Sequence, residues 1–218
     1  MRRSILSFAA ASCLALSASL AHADNVRIDS FTYPTAVSVS VATPVYSGQA
    51  GQFSGLLNGA SFVTFCTDLD QQLVFGTTYT DYSVVEGTTA GGFGARSGAL
   101  DRLFSYFAAQ GYPSNPSTSA VAQTAVWEVL YETGATFNMT AGSFAATSGD
   151  ATTSAALGAF NWAAVAATTV TVHADRLYSR TQQDLVVLTP VPEPSTYALM
   201  LAGLAGIGFV ARRRRTQR

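Results

Sequence analysis

No lysine occurs anywhere in this 218-residue chain, and charged side chains make up only 11% of it. Seven of the twelve arginines stand at the two ends (2, 3, 212, 213, 214, 215 and 218). Residues 24–191 therefore hold five Arg against twelve Asp and Glu, a net charge of −7. A domain of that sign disfavours nucleic acid, whose phosphates need basic partners. The two histidines (His22 and His173) and two cysteines (Cys13 and Cys66) are scattered along the chain and form no cluster for zinc, no histidine-rich centre and no disulfide framework, and no cofactor is implied. Neither a Gly-x-Ser-x-Gly elbow nor a phosphate-binding glycine loop is present, so turnover catalysis has no motif to rest on and the chain is not read as an enzyme. No apolar run reaches the roughly 20 residues of a comfortable membrane span. The longest are Ile5 to Leu20 and Tyr197 to Ala211.

Both runs lie in segments patterned for processing. Arg2 and Arg3 precede the first run, and the small-x-small triplet Ala21-His22-Ala23 follows it, which predicts a signal peptide over 1–23 with cleavage between Ala23 and Asp24. The alternatives are a first anchoring helix and a lipidated Cys13. The run is short, rich in Ala and Ser, and lacks the leucine expected before a lipidated cysteine. At the other end, Val191-Pro192-Glu193-Pro194-Ser195 leads into the second run, diluted by Gly203, Gly206 and Gly208, and then into Arg212, Arg213, Arg214 and Arg215. Breaker, short transmembrane helix and arginine cluster hold the tail across the inner membrane with the arginines in the cytoplasm. This three-part order over residues 191–218 resembles the PEP-CTERM sorting signal of Gram-negative bacteria, which the membrane protease exosortase recognises. The resemblance implies export, a membrane-anchored intermediate, processing near Pro192-Glu193-Pro194, and delivery to the cell surface or extracellular matrix. A permanent C-terminal anchor is the alternative for the same residues.

Residues 24–190 are long enough for one domain with its own core. Alternating apolar and hydroxylated residues predict strands over Val26–Tyr33 and Val37–Val45, and then at 53–57, 61–65, 72–75 and 79–85. After the glycine-rich segment Gly87–Gly94 the period changes to helical over Ser97–Gln110, through Leu100, Leu103, Phe104 and Phe107. Asn115 as cap and Pro116 in the first turn open a second helix with Val121, Ala122, Ala125, Val126, Val129 and Leu130 on its apolar face. Thr152–Ala167 reads as a third helix, and strands return at 169–173 and 184–188. The order β, α, β predicts an α+β fold, an antiparallel β-sheet or barrel with inserted helices.

With signal cleavage, Cys66 is the one cysteine left, in a compartment that normally pairs cysteines. It stands in Phe65-Cys66-Thr67-Asp68 at the end of an apolar strand. The helix carrying Gln123-Thr124-Ala125-Val126-Trp127 begins to matter 57 residues later. Together these two motifs resemble the thioester domains of bacterial surface adhesins, in which a cysteine thiol is joined to a glutamine side chain. The resemblance implies a bond between Cys66 and Gln123 that an amine-bearing surface or matrix ligand opens. Trp127 and Tyr131, at i+4 and i+8 from Gln123, share its helix face and can shield the bond. Asp68 shares the strand face of Cys66 and can orient a proton carrier, and His173 is a possible base. Against this stand plainer readings: Cys66 as a small buried hydrophobe or an intermolecular disulfide, Gln123 and Trp127 as core packing, and His173 as structural. Asp68 with Asp70 could suggest calcium but lacks the rest of a binding loop, and Glu128 with Glu132 reads as the polar edge of the helix. Function follows as an exported surface or matrix protein, with covalent adhesion as one form and a non-reactive structural biofilm component as the other.

Overall fold

The computed structural model describes residues 23–34, 36–191 and 199–207. The expected signal segment with Ala21, the Pro192-Glu193-Pro194 motif and Arg212 to Arg215 lie outside the described residues, while Ala23 lies at their edge. Residues 199–207 are helical and exposed, and no helix among the described residues is long and apolar enough to cross a membrane.

The fold is α+β. A six-stranded antiparallel sheet has the order β5-β4-β1-β6-β8-β9, where β1 is Asp24–Phe31, β4 Phe53–Leu57, β5 Ala60–Thr64, β6 Thr78–Val85, β8 Val172–Tyr178 and β9 Leu185–Pro190. The chain beyond β5 bends across to β9. Val186 N–H donates to the Phe65 carbonyl (3.1 Å), Thr67 N–H donates to that of Asp184 (2.8 Å), and Cys66 bridges Leu185. These bonds nearly close the sheet into a barrel and remove most of its open edges. A second sheet, β3-β2-β7, is built from β2 Val37–Val41, β3 Tyr46–Ala50 and β7 Ala146–Ser148.

The first two helices pack on different sheets, one against β8 and the other against β2 and β3. α1 (Ser97–Gln110) ends at Gly111, whose φ of 61° supplies the left-handed cap. α2 (Pro116–Tyr131) begins on a capping box: the Asn115 side chain accepts from Thr118 N–H, and the Thr118 hydroxyl accepts from Asn115 N–H. Every residue of α2 from Ser119 to Val129 is buried, because both hydrophobic clusters of the domain pack on it. Its buried polar side chains Ser119, Gln123 and Thr124 each make a hydrogen bond to main chain. Phe65 and Cys66 point to opposite sides of their strand, Phe65 into the cluster with Phe104 and Phe107, Cys66 into the one with Trp127. The strand end and the helix that carry the two motifs therefore meet at the centre of the molecule.

Several expected boundaries shift. Val37–Val45 is not one strand: β2 stops at Val41, a turn through Pro44 follows, and β3, which the sequence pattern did not single out, pairs back onto β2. Residues 72–75 form a loop instead of a strand. The 152–167 helix divides into α3 (Ala151–Gly158) and α4 (Trp162–Ala167), each capped by its own side chain, Asp150 and Asn161. The strand expected at 169–173 runs instead from Val172 to Tyr178.

Candidate functional site

The end of the β5 extension delivers Cys66 against α2, and the side chain it meets is Gln123. Cys66 N–H donates to Gln123 Oε1 (3.0 Å), and Gln123 Nε2 donates to the Cys66 carbonyl (2.8 Å). Both amide functions of the glutamine are thus held by the backbone of the cysteine. Cys66 and Gln123 are 2% and 1% exposed. Trp127, one turn further along α2, donates Nε1–H to Cys66 Sγ (3.3 Å), and Sγ donates to the Asp68 carbonyl (3.0 Å). Burial pushes the Cys66 thiol well above its ordinary pKa, an effect that the Trp127 hydrogen bond partly opposes.

The expected supporting residues separate by role. Trp127 touches the sulfur. Tyr131 does not: its hydroxyl accepts from Leu69 N–H (3.1 Å) and so ties down the loop after Cys66. Asp68 contacts the thiol through its backbone carbonyl, and its carboxylate is occupied by two main-chain donors, Gln71 N–H (3.0 Å) and Asp184 N–H (2.6 Å). These two bonds fix the loop and the closure onto β9. His173 lies elsewhere, with Nδ1 2.8 Å from Asp101 Oδ2, and does not line the cavity beside Cys66. Asp70 is exposed.

Glu128 and Glu132 do not form a polar edge; both are buried. Glu128 Oε1 accepts from Asn138 N–H (2.5 Å), its Oε2 has no partner among the described residues, and burial raises its carboxyl to about 7. Glu132 is held down to about 2 by hydrogen bonds from Ser143, Gly134 and Phe144. These two carboxylates anchor the 134–144 segment on the end of α2.

Cys66, Gln123 and Trp127 line a cavity of about 260 Å³. Tyr46, on the unforeseen strand β3, also lines it, with its ring centroid 5.2 Å from that of Trp127. So do Phe31, Phe53 and Phe75, whose rings form one cluster with centroids 5.0 to 5.7 Å apart. No local sequence pattern marks this rim, because its members come from β1, β3, β4 and a loop.

Chemically, the arrangement suits acyl transfer. A main-chain N–H on Oε1 stabilises negative charge that develops there when a nucleophile adds to the carboxamide carbon. The Cys66 thiol can supply the nucleophile, and its own proton can complete a departing amide nitrogen as ammonia.

No curated protein and no solved structure matches the chain. A family described as the PEP-CTERM protein-sorting motif matches residues 190–215. The tail is therefore a PEP-CTERM sorting signal, and it implies an exported protein that undergoes membrane-associated sorting and processing by exosortase.

Proposed function

We propose that the exosortase-sorted chain displays a single domain that attaches covalently to amine-bearing molecules at the cell surface or in the extracellular matrix, through a thioester between Cys66 Sγ and Gln123 Cδ. The observation that carries this reading is the double hydrogen bond between the Gln123 carboxamide and the Cys66 main chain, with the thiol of the same residue beside it and a cavity in front. In the first step Sγ bonds to Cδ, the Cδ–Nε2 bond breaks, and nitrogen leaves as ammonia with the thiol proton. In the second an amine nitrogen bonds to Cδ, the C–S bond breaks, and the sulfur recovers a proton from the amine. The product is an amide at residue 123 and a free Cys66 thiol. Nothing turns over, so the domain acts once per molecule.

A second reading rests on the same bracket. Two hydrogen bonds that tie the barrel closure to α2 are also what a purely structural cross-tie provides, in a matrix component without a reactive bond. The intact mass of the full chain separates the two. A mass lower by one ammonia, converted by methylamine to an adduct at Gln123 and absent from a Cys66→Ala variant, supports covalent attachment. The plain sequence mass, with Cys66 fully alkylated after unfolding, removes it and leaves the structural role.

A further inference from the structure

The cavity in front of Cys66 and Gln123 has a lining that discriminates among amines. None of its side chains carries a carboxylate, an arginine or a histidine. Its polar lining residues are Gln49, Gln71, Gln72 and Gln183 besides Gln123, together with Tyr46, Cys66 and Trp127. Its apolar side is aromatic, and Phe75 of the 72–75 loop stands 42% exposed at the mouth, held edge-on against Phe31 (5.5 Å) and Phe53 (5.7 Å).

Two consequences follow. No lining side chain is a counter-ion to an ammonium, and the nearby carboxylates of Asp68 and Asp184 are engaged by main-chain N–H groups and, for Asp184, by Arg176, so the amine enters neutral. A lysine side chain, with a pKa of about 10.4, is almost wholly protonated near pH 7.5, whereas an amine with a pKa of about 8 is neutral in a substantial fraction. Weakly basic amines are therefore favoured by about two orders of magnitude before any contact is made. The second consequence concerns shape. Aromatic faces combined with side-chain amides fit a flat ring with apolar C–H faces and a hydroxyl periphery. Gln71 lines this wall, and its Oε1 has no hydrogen-bond donor among the described residues, while sugar hydroxyls are donors. At about 260 Å³ the cavity admits one ring-sized group and not an extended ligand. Around it, residues 24–191 carry a net charge of −7, which attracts a polymer bearing free amines and repels acidic ones.

We infer that the ligand is an amino sugar with a free amine, presented by a partly de-N-acetylated hexosamine polysaccharide. This rests on the thioester reading. The sugar nitrogen bonds to Gln123 Cδ as the C–S bond breaks, the amine proton passes to sulfur, and the polymer remains joined by an amide.

The test follows adduct formation by intact mass on the full chain at pH 7.5, with glucosamine, glycinamide and Nα-acetyllysine amide as probes. Glycinamide matches the weak basicity without the ring. Glucosamine is expected to react about tenfold faster than glycinamide, the size of one or two good contacts, and lysine amide slowest. Phe75→Ala should bring the glucosamine rate down to parity with the glycinamide rate, both read in that same variant. Equal rates for glucosamine and glycinamide, or a faster lysine amide, overturn the sugar assignment with the thioester intact. A wild-type chain that never loses ammonia overturns both.

Discussion

Opening the proposed bond should cost the domain a measurable part of its stability, and the size follows from the chain separation. A link between residues 66 and 123 closes a loop of 57 residues, which in the chain-entropy account of cross-links restricts the unfolded state by about 4 kcal/mol. The amide left by methylamine keeps an N–H, so the Cys66 carbonyl, which accepts from Nε2 at 2.8 Å in the unreacted pair, regains a donor. That returns about 1 kcal/mol. The net loss is about 3 kcal/mol, or about 6–12 °C in melting temperature for a domain of this size. Calorimetric melting before and after methylamine treatment reads it directly, with the Cys66→Ala variant as the control in which amine does nothing. An unchanged melting temperature in a chain shown by mass to have taken up methylamine would refute the cross-link account. The same shift in Cys66→Ala would show that methylamine acts elsewhere.

Two further outcomes follow from single hydrogen-bonding groups. Trp127→Phe keeps an aromatic ring in the core but removes the donor on Cys66 Sγ. It should lower stability by about 2 kcal/mol in urea unfolding and slow ammonia loss about tenfold in a mass time course. Ammonia loss at the wild-type rate would mean that the indole only shields the sulfur. Glu128 titrates near 7 when folded, because burial raises it from its ordinary 4.5, with the Asn138 N–H opposing and the Glu132 charge adding. Between those pH values the folded state binds more protons than the unfolded one, so its contribution to stability is complete below about 4.5 and is lost as pH rises through about 7. Glu128→Gln should therefore be more stable than the wild type at pH 8, by on the order of 2–3 kcal/mol, with the gap closing toward pH 4. Denaturant titrations at the two pH values check this, and a gap independent of pH would contradict the assignment.

How much of this was legible in the sequence depended on how local each signal is. α1 and α2 were readable because the spacing of Leu100, Leu103, Phe104 and Phe107, and the Asn115-Pro116 start, act within a few residues. β3 and β7 were not, since Tyr46–Ala50 and the three residues Ala146–Ser148 carry almost no alternation and become strands only by pairing with β2. Cys66 and Gln123 stood out as chemistry, but the bracket that joins them depends on the turn of the chain from β5 to β9, which no local pattern encodes. The sequence placed Asp68 and Tyr131 near the sulfur by face periodicity alone. Their hydrogen bonds go to the loop backbone instead, because a loop crossing from one sheet edge to another leaves main-chain donors that must be satisfied.

The missing lysines acquire a meaning once the site is placed. A thioester exported into the envelope is consumed by whichever amine reaches it first, and the commonest amine on a protein surface is a lysine side chain. This chain carries none, so one copy cannot be captured through a lysine of another. Signal cleavage would leave one amine, the α-amino group of Asp24 at the start of β1. That residue sits between β4 and β6 neighbours, paired opposite Tyr82 with its carboxylate taken by Asn58 Nδ2 (2.7 Å), and it does not line the cavity. Burial of Cys66 and Gln123 limits water, and the absence of lysine limits self-reaction, so the two features together would preserve the bond until a foreign amine arrives. Introducing one lysine at the cavity mouth, Gln72→Lys, tests that argument. Its ε-amine should form an internal amide with residue 123, visible as a chain that has lost ammonia yet no longer takes up methylamine and has a free Cys66 thiol. A Gln72→Lys chain that still reacts with methylamine like the wild type would show that the absence of lysine protects nothing.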